Sequence, residues 1–184
     1  MRRRLLSSLG TVLAAAALAL PGTGQAAASE APITVTHGTF GDYAPGRTAV
    51  TYDSRVPEGA RATVVMVSAP GLGTRTVLHV AGLVPHREYG AHAHTQPCGP
   101  TGSAAGPHFQ HVPGPSDDPA YANPENEIWL DFTTGPRGHA VARSHVDWTF
   151  DERRPRSIVI HEHHTSTAPG EAGSAGTRLA CVDL

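Results

Sequence analysis

From Ile33 onward the chain is a succession of short β-branched segments that Pro and Gly repeatedly interrupt. "ITVTHGTF" (Ile33–Phe40) alternates in polarity. "RTAVTYD", "RATVVMVSA" and "TRTVLHVAGL" follow, each bounded by turn residues. "EYGAHAH", "EIWLDFTT", "GHAVARSHVDWTF", "RSIVIHEH" and "TRLACVDL" complete the series. This spacing predicts eight or nine strands of a β-sandwich or flattened barrel. No segment carries the 3.6-residue period of an amphipathic helix. The expected fold class is therefore all-β, with Greek-key connections. Two stretches break the series, Thr95–Asn126 and His163–Gly176, both rich in Gly, Pro and small polar residues. The first is longer than a compact domain normally leaves without structure unless function requires it.

The first residues follow another logic. "MRRRLLSSLGTVLAAAALALPGTGQAAASE" has a basic start, an apolar run from about Leu9 to Leu20, and then small residues. That layout predicts a signal peptide over residues 1–28, cleaved near Ala26–Ala28, ahead of one domain over residues 29–184. The apolar run is short for a bilayer span, so no membrane span is expected after cleavage. The arginines before Leu5 leave both the general secretory and the twin-arginine routes open. Loss of Arg2, Arg3 and Arg4 takes the formal charge from −2 to −5, with 11 basic and 16 acidic side chains remaining. An acidic domain of this kind is not expected to bind nucleic acid. The chain contains no lysine, so every fixed cation is an arginine.

Cys98 and Cys181 are the only cysteines, and both follow the leader. In an oxidising compartment the simple reading is one disulfide, and the alternative is a pair of copper thiolates. Histidine is the abundant ligand type, with 12 residues. His37, His79, His86, His139 and His145 stand singly in strand-like segments and read as structural or exposed. His111, His163 and His164 flank better candidates without an assigned role. His92, His94, His108 and His161 stand apart. Residues two apart on a strand share a face, so His92 and His94 present two imidazoles side by side. His108 follows the turn Gly106-Pro107, and His161 ends the apolar run "SIVI". Four imidazoles from three segments can hold zinc, copper, nickel or iron, with copper(II) highest in the affinity order.

At these residues the sequence resembles the copper/zinc superoxide dismutases. "GAHAH" is similar to that family's His-x-His strand, and "AGPHF" to the segment carrying the histidine that bridges copper and zinc. "RSIVIHE" is similar to the strand of the last copper ligand, and "GSAGTRLACVDL" to the C-terminal motif with an active-site arginine. The resemblance is dense from Gly82 onward. It implies an eight-stranded Greek-key β-barrel or sandwich and one copper ion on His92, His94, His108 and His161. It also implies anion guidance by Arg178 and a Cys98–Cys181 disulfide. Where zinc-binding members supply further histidines, this chain has only His111 close by and then Glu125, Glu127 and Asp131. A tetrahedral zinc site on His108 is accordingly not expected. This departure resembles the copper-only branch, in which a glutamate contacts the bridging histidine. Glu127 is the best match and Glu125 its competitor.

The implied activity is an exported, copper-dependent conversion of superoxide to peroxide and dioxygen, with Arg178, His108 and Glu127 as its catalytic residues. The alternative is an extracytoplasmic protein that buffers or delivers copper. A monomer is the working expectation, with the oligomeric state open.

Overall fold

Alternation along the strands decides which residues meet in the core. The computed structural model describes residues 33–184, so the predicted leader lies outside them. Among the described residues nine strands form: β1 (Ile33–Thr39), β2 (Ala49–Thr51), β3 (Arg61–Ala69), β4 (Gly73–Ala81), β5 (Glu88–His94), β6 (Phe132–Thr133), β7 (Ala140–Val146), β8 (Ser157–His161) and β9 (Arg178–Asp183). They make two antiparallel sheets, ordered β1-β3-β4-β7 and β2-β9-β8-β5-β6. No closed barrel forms among the described residues; the sheets face each other as a sandwich. In β3, Ala62, Val64 and Met66 point inward while Thr63, Val65 and Val67 point outward. Leu78 and Val80 of β4, Ile158 and Ile160 of β8, and Leu179 of β9 join the same core, with Phe40, Tyr89, Ile128 and Leu130.

The run "SIVI" is buried on both faces, as a continuous apolar strand should be. Ile158 and Ile160 enter the main core. Val159 packs on the opposite face with Cys181 and Ala105, the latter from a short 3-10 helix at Gly102–Ala105. That opposite face is covered by the two long irregular stretches.

Two expectations change in detail. "EIWLDFTT" pairs as a regular strand only at Phe132–Thr133. The residues before it are shared between two neighbours, through isolated bridges at His92–Trp129 and Gln110–Glu127. "RTAVTYD" pairs regularly only at Ala49–Thr51, against β9, with an isolated bridge from Gly41 to Val50 on its other side.

Cys98 and Cys181 are joined by a disulfide that spans 83 residues of sequence, which rules out their service as copper thiolates. The crosslink ties the loop after His94 to β9, and the Cys98 amide donates to Asp183 Oδ1 at 2.6 Å beside it. Replacing both cysteines with serine is expected to lower stability by about 2–4 kcal/mol. The corresponding fall in Tm is roughly 5–15 °C. Thermal denaturation without reductant measures it, and an unchanged Tm would mean the crosslink adds nothing.

Candidate metal centre

Register brings the candidate ligands together. In the β5–β8 pair, Gly90 faces His161, His92 faces Val159, and His94 faces Ser157. His92, His94 and His161 therefore share the outer face of the second sheet. A register shift at Ile160–His161 sets Arg178 opposite His161, on that same face. His108 arrives from the loop, bridging to His94, and the Phe109 amide donates to the Ala93 carbonyl at 2.8 Å. One nitrogen from each of His92, His94, His108 and His161 lies within 4.8 Å of the others. His92 and His94 are fully buried, His161 is 4 % exposed, and the His108 side chain is 14 % exposed.

The hydrogen bonds assign each ring. His94 Nδ1 donates to the Gly106 carbonyl at 2.9 Å, and His161 Nδ1 to the Gly176 carbonyl at 3.4 Å. His108 Nδ1 donates to Glu127 Oε2 at 2.7 Å. His92 Nε2 donates to Thr165 Oγ1 at 2.6 Å, and that hydroxyl passes its own proton to Asp131 Oδ1 at 2.7 Å. Each ring thus spends its N–H on an outer acceptor and keeps one lone pair for the centre. His92 Nδ1 is buried with no partner. His94 Nε2 and His161 Nε2 face each other at 3.4 Å. Lone pairs so arranged want a cation between them, so the residues present fit a metal ion.

Burial pushes the imidazoles of His92 and His94 well below the ordinary histidine range, and nearby His108 adds to the effect. Burial, then His108, lowers His161 to about 3. All three are neutral at physiological pH, the form that binds metal.

Glu127 is 1 % exposed and accepts from three donors. Besides His108 these are Trp129 Nε1 at 2.7 Å and Gln110 Nε2 at 3.0 Å. Glu125 is exposed and turned away, so Glu127 is the carboxylate that reaches His108. Arg178 is held by Nη1 bonds to the Gly102 and Gly106 carbonyls at 3.0 and 2.8 Å. Gly106 adopts φ +72°, where any Cβ would also meet Thr95 Oγ1 at 2.7 Å. Arg178 and His108 line a cleft of about 300 Å³ whose mouth also carries Asp117 and Glu171.

The remaining histidines stay outside this cluster. His37, His79, His86, His139 and His145 are exposed. His111 stacks on Trp148 at 4.8 Å, and His163 and His164 lie on the surface. Sequence reasoning missed the outer partners Asp131, Thr165, Trp129 and Gln110. Alternation in "EIWLD" held a signal for some of them, because it sets Glu127, Trp129 and Asp131 on one side and Ile128 and Leu130 on the other. Among the described residues no helix is long and apolar enough to cross a membrane.

Solved structures share this fold. The Cu/Zn superoxide dismutase from Brucella abortus superposes with a TM-score of 0.57 at 21 % identity, over 82 % of this chain and 99 % of its own. A proline-to-histidine mutant of a SOD-like protein from Bacillus subtilis superposes with a TM-score of 0.53 at 18 % identity, over 67 % of this chain and 88 % of its own. No family model matches the sequence, and no curated protein matches it. The likeness is one of fold: the two-sheet sandwich is that of the Cu/Zn superoxide dismutases.

Proposed function

We propose that the chain is a copper-dependent superoxide dismutase acting outside the cytoplasm, with His92, His94, His108 and His161 as ligands and no zinc. The carrying observation is the set of four imidazoles whose remaining lone pairs converge, one of them on a buried nitrogen without a partner. The disulfide suits an oxidising compartment. Copper supplies a one-electron couple, which zinc lacks. Glu127 occupies Nδ1 of His108, the nitrogen that a second metal would need.

The protein side of the chemistry follows from the bonds. Glu127 keeps His108 oriented through Nδ1, so that Nε2, the nitrogen that would hold the metal, could when released from it take up a proton and pass it to the forming peroxide. His108 is the only one of the four ligands that lines the cleft, so it is the one placed to exchange that proton with substrate. Arg178, its guanidinium fixed by two carbonyls, attracts and orients the small anion. Asp117 and Glu171 at the mouth oppose its approach, so attraction has to be local.

Arg178→Ala is expected to slow turnover about tenfold at low ionic strength, with a smaller loss at high salt. Rates measured across a salt series check this, and a loss independent of salt would remove the steering role. The activity itself is tested by loading the protein with copper and zinc together, quantifying both metals, and measuring superoxide consumption per bound copper. Stoichiometric copper, little zinc and multiple turnovers support the proposal. Copper bound without turnover would support buffering or delivery instead.

A further inference from the structure

The sheet opposite the metal centre has an outer face with an unusual charge distribution. Its outward residues run in rows set by the strand register: Ile33–Val67–Arg75–His145, Val35–Val65–Val77–Arg143, and His37–Thr63–His79–Val141. Arg61 extends the face beyond Thr39 and Ala81. None of the strands β1, β3, β4 and β7 contains a carboxylate, although the whole chain has 16 acidic residues. Acids flank the strands in sequence, Glu30 before β1, Asp42 after it, Glu58 before β3 and Asp147 after β7, with Asp147 Oδ1 at 4.0 Å from His145 Nε2. Branched aliphatic side chains gather at the β1–β3 corner, where Ile33 is 64 % and Val35 52 % exposed. Leu72 in the β3–β4 turn, 54 % exposed, sits at the same end. The arginines and histidines border this corner on two sides.

We propose that this face docks the protein on an anionic phospholipid bilayer. Aliphatic side chains at a flat corner gain by entering the headgroup boundary, and the bordering arginines pair with phosphates. A second copy of the chain is a poor occupant, because a two-fold pair through this face would bring two arginine-bearing surfaces together with no strand carboxylate on either to offset them. A soluble polyanion would satisfy the arginines but give no reason for the exposed isoleucine and valines. Arg178, His92, His94 and His161 lie on the outer face of the other sheet, with His108 over it from the loop, so a docked molecule keeps its cleft turned to water. The inference is independent of the bound metal.

The experiment is co-sedimentation of the full chain with vesicles of phosphatidylglycerol and phosphatidylcholine, against vesicles of phosphatidylcholine alone. Comparing variants in the full-chain background cancels any contribution of the leader. Stronger binding to the anionic vesicles is expected, with loss as salt rises. Arg75→Glu with Arg143→Glu should weaken it by about fivefold or more per site. Ile33→Thr with Val35→Thr keeps β-branching and should also weaken it. All four positions face outward, so circular dichroism and Tm should be unchanged. Equal binding to both vesicle types, or no effect of the charge reversals, overturns the proposal. Binding that the threonine variant leaves intact and that soluble polyglutamate abolishes would identify a polyanion as partner and overturn it as well. So would a dimer in sedimentation that the arginine variants dissociate.

Discussion

Acidified from pH 6.5 to 4.5 without metal, the protein is expected to lose at least about 2 kcal/mol of stability. His161 has a folded value of about 3, against about 6.5 for an unfolded histidine. Between those values the unfolded chain holds a proton that the folded chain refuses, so stability falls as pH falls. The contribution is fully present above about pH 6.5 and disappears as pH approaches 3. At pH 4.5 the loss from His161 alone is about 2–3 kcal/mol. His92 and His94 are depressed in the same direction by the same burial and add to it. Bound copper competes with protons for the same lone pairs, so the loaded protein should resist acid further. Urea titrations followed by the fluorescence of Trp129 and Trp148, with and without copper, measure both curves. A metal-free midpoint that stays level from pH 7 to 4.5 would mean that the rings are not held neutral in a dry pocket.

Glu127→Gln is expected to reduce turnover per bound copper about 10–100-fold while copper remains bound. The reason is a count of donors. Glu127 accepts from His108, Trp129 and Gln110, and the Gln110 amide cannot turn, because its Oε1 accepts from the Gly114 amide at 2.8 Å. A glutamine at this position brings an NH2 group into a ring of N–H groups. Turned one way, it meets Gln110; turned the other, it meets Trp129 and His108. His108 alone can adapt, by moving its proton from Nδ1 to Nε2. That move covers the lone pair aimed at the metal and leaves the other three histidines to hold the ion. Metal content and superoxide consumption, measured on the same samples, read the two effects separately. An unchanged rate would take Glu127 out of the chemistry.

Local periodicity made much of this legible. The period-2 alternation of β3 and β4 and the doubly buried "SIVI" follow directly from side-chain direction in a strand. The spacing of His92 and His94 placed two imidazoles on one face for the same reason. What stayed hidden depends on contacts between distant segments. Asp131 reaches Thr165 across 34 residues, and Arg178 finds the Gly102 and Gly106 carbonyls across 76 and 72. A carbonyl has no signature in a sequence, because every residue carries one. The end of the regular pairing in "EIWLDFTT" was hidden too, since it arises from two neighbours competing for one backbone.

The Gly106 carbonyl receives both His94 Nδ1 and Arg178 Nη1, and its loop is fastened through Cys98 to the strand that carries Arg178. One oxygen atom therefore sets the spacing between the His94 ring and the Arg178 guanidinium. The sulfur link maintains that spacing like a brace in a truss. Reduction would free that loop, and with it the Gly106 carbonyl and His108, so the arrangement of the four imidazoles would come under thiol control.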